Sequence, residues 1–134
     1  MIDTPKIFRI PIDVSNLKEA SAFYSELLGS KGLQIKDGNR HYFTCGSVIF
    51  ALIDVSAGKK KSKPFSNYIY FTVSNLEKIF KRAKELRCLP RHTIHGQPGG
   101  EIITRPWGER SFYAEDPDRN GLCFVDEKTV FTGK

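Results

Sequence analysis

Apolar and polar residues alternate along several short stretches of this chain and recur at helical spacing along two longer ones. The stretch IFRIPIDV at residues 7–14 alternates cleanly, which predicts a half-buried strand. Pro11 cannot donate a backbone hydrogen bond, so this strand is expected at a sheet edge or beside a bulge. Residues 17–28 carry apolar side chains at helical spacing, and Ser15 and Asn16 precede them as capping residues.

Three further strands are predicted before residue 56. Leu33 to Lys36 and Arg40 to Cys45 flank an Asp-Gly-Asn turn, and Val48 to Val55 is a strongly apolar run. The local order is therefore strand, helix, strand, strand, strand. Residues 56–66 are rich in Gly, Lys, Ser and Pro, a composition typical of a linker.

The same pattern returns after the linker. Tyr68 to Val73 alternates as a strand, and a second amphipathic helix follows until Pro90. The tetrapeptide V-S-N-L occurs at residues 14–17 and again at 73–76, a period near 59 residues. This repeat predicts two copies of one βαβββ unit.

The repeat divides one α+β domain into parts. The predicted boundaries are module one at residues 5–56, a linker at 57–66 and module two at 67–127. Within module two, residues 96–100 contain glycines without a following helix and are interpreted as a loop.

The chain finishes with PWGERSFYAEDPDRNGLCFVDE, at residues 106–127. Ser111 to Glu115 and Leu122 to Val125 predict two strands, and the Asp-Pro-Asp sequence between them favours a tight turn. We therefore expect a terminal hairpin that leaves one face free to line a ligand site.

Composition indicates an ordinary globular protein, with 40% hydrophobic and 12% aromatic residues. No apolar run approaches the roughly 20 residues that span a bilayer, and the N-terminus lacks the pattern of a secretion signal. The three cysteines, Cys45, Cys88 and Cys123, are widely spaced and odd in number, which disfavours a disulfide framework or a zinc knuckle. We expect a cytoplasmic protein without a membrane partner.

The net charge of +6 raises the possibility of a nucleic-acid partner. Much of the excess lies in one run, which contains Lys59, Lys60, Lys61 and Lys63. Without these four, 17 basic residues face 15 acidic ones. Since such a run is typical of a solvated linker, we expect no nucleic-acid binding.

The repeated unit, the FYSELLG ending of the first helix and the PWGERSFYAEDPDRNG stretch together resemble the vicinal oxygen chelate superfamily. That superfamily includes glyoxalase I, bleomycin-resistance proteins and extradiol dioxygenases. The resemblance covers nearly the whole chain. It implies two βαβββ modules whose strands form an eight-stranded, incompletely closed cup, with the helices outside and a ligand inside. One departure is Arg119, which stands where the family usually has glycine.

Metal-dependent members of the family hold a divalent ion with His and Glu or Gln side chains. Carried over position by position, the expected ligands fall on Arg9, Tyr68 and Cys123, while Asp54 is the candidate for the fourth. An arginine cannot ligate a metal, and three of the four family ligands are replaced. The resemblance therefore implies that the usual metal site is absent, although a divalent metal at another position is left open.

The histidines are the candidate ligands of a metal site at another position. His92 and His95 have a plausible ligand spacing, and His41 lies in a predicted strand, so a displaced metal site would use them with Glu101 or Glu115. The non-functional interpretation is that His92 and His95 are exposed loop residues and that His41 has its hydrogen bonds satisfied at the sheet surface. Cys123 is interpreted as a small buried residue and not as a nucleophile.

The leading hypothesis is a metal-independent protein that binds a small planar or anionic organic molecule. The candidate ligand-binding residues are Arg9, Asp13, His41, Phe43, Tyr68, Tyr70, Trp107 and Cys123. Aromatic walls with few polar groups are typical of small-molecule pockets, and an inward arginine suits a carboxylate or phosphate. A superfamily enzyme (lyase, isomerase or dioxygenase) and a structural module with a filled cup are the alternatives. Exposed sheet edges favour a homodimer.

Overall fold

The computed structural model describes residues 3–58 and 61–133, so Lys59 and Lys60 of the predicted lysine-rich run lie outside the described residues. Two helices are present, α1 (Leu17–Leu28) and α2 (Leu76–Glu85). The strands are β1 (Arg9–Val14), β2 (Leu33–Gln34), β3 (Arg40–Cys45), β4 (Val48–Asp54), β5 (Tyr68–Val73), β6 (Thr93–Ile94), β7 (Gln97–Pro98), β8 (Ile103–Thr104), β9 (Arg110–Glu115) and β10 (Gly121–Asp126). Short 3-10 helices occupy Ser56–Gly58 and Glu127–Thr129.

Eight of the strands form two sheets of the same topology. The first sheet has the order β1-β4-β3-β2 and the second the order β5-β10-β9-β8. In each, the strand before the helix pairs in parallel with the last strand of its module, and the remaining pairs are antiparallel. The predicted repeat of two βαβββ units is confirmed, as is the position of Pro11 in an edge strand. The two sheets do not close into a barrel.

Equivalent capping residues start the two helices. The side chain of Asn16 accepts a hydrogen bond from the backbone N–H of Glu19 at 3.0 Å, and Asn75 accepts one from Lys78 at 3.1 Å. These bonds satisfy donors that the first turn of a helix leaves free. The repeated V-S-N-L sequence thus encodes the same strand-to-helix junction twice. Neither described helix is both long and apolar enough to cross a membrane.

Module two is longer than module one between its helix α2 and β8, the strand that corresponds to β2. The added segment contains the hairpin of β6 and β7, which covers the second sheet. Its Ile94 packs in a small core cluster with Tyr113, Cys123 and Val125. The sequence interpretation of residues 96–100 as a loop missed β7, because a two-residue strand has too few positions to show alternation. The predicted strand at 33–36 also shortens to two residues.

Both modules share one hydrophobic core, which lies on the helix side of each sheet. Its members include Ile12 and Phe50 of the first sheet and Phe112 and Phe124 of the second. Phe50 also meets Phe71 of β5 edge to face, with 5.5 Å between ring centroids. Because strand side chains alternate, the residues between these point to the opposite side, which we call the open face of each sheet. The two open faces therefore lie away from the shared core.

The Asp-Pro-Asp-Arg-Asn turn between β9 and β10 is a second link between the modules. Asn120 donates a 3.0 Å hydrogen bond to the carbonyl of Asp13 at the end of β1, and it accepts one of 2.7 Å from the backbone N–H of Phe65 in the linker. Arg119 in this turn has φ +65°, the left-handed conformation that glycine adopts without strain. The departure noted in the sequence is therefore a real backbone constraint.

Candidate functional site: an aromatic cleft on the second sheet

Several of the predicted ligand-binding residues meet on the open face of the second sheet. Tyr68, Tyr70 and Thr72 of β5 alternate with core residues, and the register places Cys123 beside Tyr70. Tyr70 is 49% exposed, a high value for an aromatic residue within a sheet. This face therefore offers aromatic surface to solvent.

A tight turn between β8 and β9 brings Trp107 to the same face. Its backbone closes with a 2.8 Å hydrogen bond from the N–H of Gly108 to the carbonyl of Arg105, and Gly108 has φ +97°. The indole N–H of Trp107 donates to Oε1 of Glu109 at 2.8 Å, and His95 lies against the indole with ring centroids 5.7 Å apart. The indole is thus held from two sides and still 36% exposed.

The C-terminal segment completes a cleft of about 410 Å³. The backbone N–H of Phe131 donates to the second carboxylate oxygen of Glu109 at 2.9 Å, so Glu109 ties both Trp107 and the segment to the sheet. We call this cavity the aromatic cleft. Its lining residues are Tyr70, Phe71, Thr72, Trp107, Glu109, Val125, Val130 and Phe131.

Glu109, Val130 and Phe131 were missed by sequence reasoning. Glu109 belongs to the PWGERSF stretch, but nothing in that stretch indicates that its carboxylate bridges two separate segments. Val130 and Phe131 follow the last predicted strand, where the sequence carries no pattern that fixes their direction. Contacts between residues far apart in the sequence decide how the Trp107 turn and the C-terminal segment pack together.

Two buried residues, Tyr113 and Arg105, lie next to the cleft. Tyr113 is fully buried and its ring meets that of Tyr68 edge to face at 4.9 Å. The guanidinium of Arg105, itself 2% exposed, lies 5.0 Å from the centroid of the Tyr113 ring. Arg105 donates to the side chain and carbonyl of Ser111 and, at longer range, to the carbonyls of Pro98 and Glu101. These bonds fasten the segment before β8 to β9, which gives Arg105 a structural role.

Burial makes the groups of this face poor nucleophiles. It raises the pKa of the Cys123 thiol to about 12, so the thiolate is scarce at neutral pH. Burial likewise raises the pKa of the Tyr113 hydroxyl far above its usual value, and the neighbouring Tyr70 raises this pKa further. The sequence interpretation of Cys123 as a small buried residue agrees with its surroundings.

The four positions that correspond to the family's metal ligands do not form a donor set. Arg9 lies on the first sheet, where its guanidinium carbon Cζ is 4.6 Å from the ring centroid of Phe8 and 5.3 Å from that of Tyr42. Asp54 accepts hydrogen bonds from the backbone N–H of Leu17 and from Ser56, which commits its carboxylate to the start of α1. Tyr68 and Cys123 share the second sheet, and burial raises the pKa of both. The residues present do not fit a divalent ion.

The three histidines are dispersed. His41 is buried beside Phe43 on the helix side of the first sheet, with Nε2 at 2.8 Å from the carbonyl of Lys31. Neither His41 nor Phe43 faces the aromatic cleft. His92 lies 4.0 Å from Glu115 at the rim of another cavity, while His95 contacts Trp107. Among the described residues, no group of three or more His, Cys, Asp or Glu side chains is placed to hold a metal.

Arg9 and Asp13 occupy the open face of the first sheet and not that of the second. The side chain of Asp13 accepts a 3.3 Å hydrogen bond from the backbone N–H of Lys63 in the linker. The structure therefore separates the predicted ligand-binding residues. Tyr70 and Trp107 line the aromatic cleft, whereas Tyr68 and Cys123 share the open face of the second sheet but are not among the lining residues. Arg9 and Asp13 lie on the other sheet, and His41 and Phe43 lie on the helix side of the first sheet.

The family model described as Glyoxalase/Bleomycin resistance protein/Dioxygenase superfamily matches residues 6–124. The chain belongs to this superfamily. The glyoxalase-like match spans both βαβββ modules and ends within β10. A search of curated sequences finds no significant match.

Solved structures of glyoxalase-like proteins share the fold. Oxidase ChaP-H1 matches with a TM-score of 0.75 and 20% identity, over 98% of this chain and 100% of its own. A lactoylglutathione lyase from Agrobacterium tumefaciens matches with a TM-score of 0.67 and 19% identity, over 93% of this chain and 96% of its own. A glyoxalase-related enzyme from Fulvimarina pelagi matches with a TM-score of 0.72 and 16% identity, over 93% and 90%. At these identities the likeness concerns the fold alone.

Proposed function

We propose that this glyoxalase-like protein binds a small planar organic molecule in the aromatic cleft. The observation that carries the proposal is the convergence of three exposed aromatic side chains, those of Tyr70, Trp107 and Phe131, around one cavity of about 410 Å³. Such a volume lies within the range of small-molecule sites, which are mostly apolar with a few polar groups. Aromatic side chains exposed together on one face favour a ligand that stacks on them.

The proposed binding requires no metal. It is supported by the chemistry of the family's ligand positions, where Arg9 carries a cation and Cys123 a buried thiol. The anionic alternative rested on Arg9, which belongs to the other sheet. Stacking in the cleft is therefore the part of the hypothesis that we retain.

Ligand-detected NMR on a panel of two-ring and three-ring aromatic compounds tests this proposal, with hits titrated by calorimetry with and without a chelator. We expect Tyr70→Ala to weaken binding of a hit about tenfold, since one stacked ring contributes roughly 1 kcal/mol or more. The matched control is Tyr42→Ala, which removes a half-buried tyrosine from the open face of the first sheet. Equal losses in both variants, or a loss on adding the chelator, would contradict the proposal.

A further inference from the structure

The charge of the cleft wall distinguishes between classes of planar ligand. Among the described residues that line the aromatic cleft, Glu109 is the one with a charged side chain. The other lining residues are aromatic or aliphatic apart from Thr72. A ligand in the cleft therefore meets a carboxylate and the faces or edges of several rings.

The carboxylate of Glu109 is fixed in place. Oε1 accepts from the Trp107 indole and Oε2 from the backbone of Phe131, at 2.8 and 2.9 Å. Each carboxylate oxygen has two lone pairs, so both retain acceptor capacity after these bonds. The two bonds hold the negative charge next to the indole and next to the segment that carries the Phe131 ring.

Aromatic rings add to this preference because their faces are electrically negative. A cation placed over Trp, Tyr or Phe gains about 0.5–2 kcal/mol, and Trp gives the strongest effect. Trp107, Tyr70 and Phe131 are each at least 36% exposed. Three rings around one cavity with a carboxylate in its wall match an organic cation of low hydration.

The buried cation Arg105 does not reverse this preference for a positively charged ligand. Arg105 lies against Tyr113 and not in the cleft wall, and its guanidinium donates to Ser111 and to backbone carbonyls. His95 packs against the indole at an interplanar angle of 88° and is not one of the lining residues. The arginine proposed from sequence for an anionic ligand, Arg9, belongs to the first sheet.

We propose that the aromatic cleft selects planar organic cations, such as a positively charged aromatic ring or an aromatic ring that carries a quaternary ammonium, over neutral or anionic molecules of the same size. This inference rests on the proposed function, because it names the ligand class of the same site. Glu109 supplies the charge and Trp107, Tyr70 and Phe131 supply the cation-binding ring surface.

Trp107 is the only tryptophan in the chain, so its fluorescence reports on this cleft alone. The probes are benzyltrimethylammonium, benzyl alcohol and benzoate, which share one ring and do not absorb at the wavelength that excites tryptophan selectively. We expect benzyltrimethylammonium to change the fluorescence with an affinity at least about tenfold higher than the other two.

Glu109→Gln tests the source of the preference, because the amide oxygen keeps one acceptor and removes the charge. We expect this variant to reduce the ratio of benzyltrimethylammonium affinity to benzyl alcohol affinity about tenfold. Glu85→Gln is the control, since it removes the same charge from an exposed position at the end of α2. The comparison of the three probes on the unmodified protein stands even where Glu109→Gln shifts the C-terminal segment.

The outcomes separate the two claims. Equal or tighter binding of benzyl alcohol or benzoate overturns the cation preference and leaves the aromatic site in place. An unchanged preference in Glu109→Gln overturns the role of that carboxylate. A fluorescence signal that responds to none of the three probes, while the aromatic panel still binds with dependence on Tyr70, overturns the cation inference alone. Failure of both experiments overturns the proposed function as well.

Discussion

The hydroxyl of Tyr24 in α1 donates a 2.7 Å hydrogen bond to the buried carboxylate of Asp116, 92 residues away in the turn between β9 and β10. The same carboxylate accepts bonds from the side chain and backbone of Asn120 and from the backbone of Asp118. Burial raises the pKa of Tyr24 well above its usual value, and the neighbouring Asp116 adds to the shift, so the phenol stays a donor. This contact fixes module one to the terminal hairpin of module two.

Removing the charge of Asp116 is expected to be costly. In Asp116→Asn, an amide N–H₂ replaces one acceptor and faces donors, so buried hydrogen bonds are lost without replacement. We expect the free energy of unfolding to fall by about 3 kcal/mol or more. Urea denaturation measures this, and an effect below about 1 kcal/mol would contradict the role assigned to Asp116.

The Tyr24 hydroxyl can be tested separately. Tyr24→Phe keeps the ring and its edge-to-face contacts with Phe23 and Phe50 but removes the donor to Asp116. A hydrogen bond to a charged group is worth about 1.5–3 kcal/mol, so we expect a loss of about 2 kcal/mol in unfolding free energy. Tyr42→Phe, at a half-buried position on the first sheet, serves as the control and should change stability by less than about 0.5 kcal/mol.

A substitution at Arg119 is expected to raise the free energy of unfolding, unlike the substitutions at Asp116 and Tyr24. Its φ of +65° is unfavourable for a residue with a Cβ atom, so Arg119→Gly is expected to stabilise the protein by about 1 kcal/mol. Arg119→Ala removes the same side chain beyond Cβ and keeps the backbone strain. Thermal and urea unfolding should therefore rank the glycine variant above the alanine variant, and the reverse order would show that the turn carries no such strain.

The buried thiols predict how stability depends on pH. Burial raises the pKa of Cys88 to about 11 and that of Cys123 to about 12, whereas an unfolded cysteine titrates near 8.5. Above the unfolded value, the unfolded chain loses protons that the folded state retains. The free energy of unfolding should therefore fall as the pH rises from about 9 towards the folded values, by up to about 1.4 kcal/mol per pH unit for each thiol.

Unfolding at pH 8 and pH 10 checks this dependence. Other groups also titrate in this range, so the decisive quantity is the difference in slope between the unmodified protein and a Cys88→Ala, Cys123→Ala variant. We expect the variant to lose less stability between the two pH values. Identical slopes would mean that the two thiols ionise as readily in the folded protein as in the unfolded chain.

The homodimer remains a prediction. Within the described residues, edge strand β1 has no pairing partner on one side. The preceding Ile7 and Phe8 are 68% and 59% exposed, which gives a second copy apolar surface to cover. Light scattering at micromolar concentration should give twice the monomer mass. Phe8→Ser should then shift the mass towards the monomer, while Phe131→Ser, which alters exposed apolar surface at the aromatic cleft, serves as a control for the change in composition. A monomeric mass for the unmodified protein would refute the prediction.

Local signals determined much of the fold. The two V-S-N-L stretches encode the same helix cap because an asparagine side chain needs only the next turn of its own helix as a partner. Alternation in β5 correctly predicted that Tyr68 and Tyr70 share a face, since the strand period is two residues. The left-handed backbone at Arg119 was indicated only by the resemblance, since the family usually has glycine at this position.

Tertiary structure alone decided which of these faces form the site. Alternation sorts the side chains of one strand but does not say which sheet faces which, so Arg9 and Tyr70 were expected together and lie on separate open faces. Glu109 gained its role when Trp107 and Phe131, 24 residues apart, met at its two oxygens. Contacts of that range depend on how the whole chain packs its core, and no local pattern in the sequence encodes them.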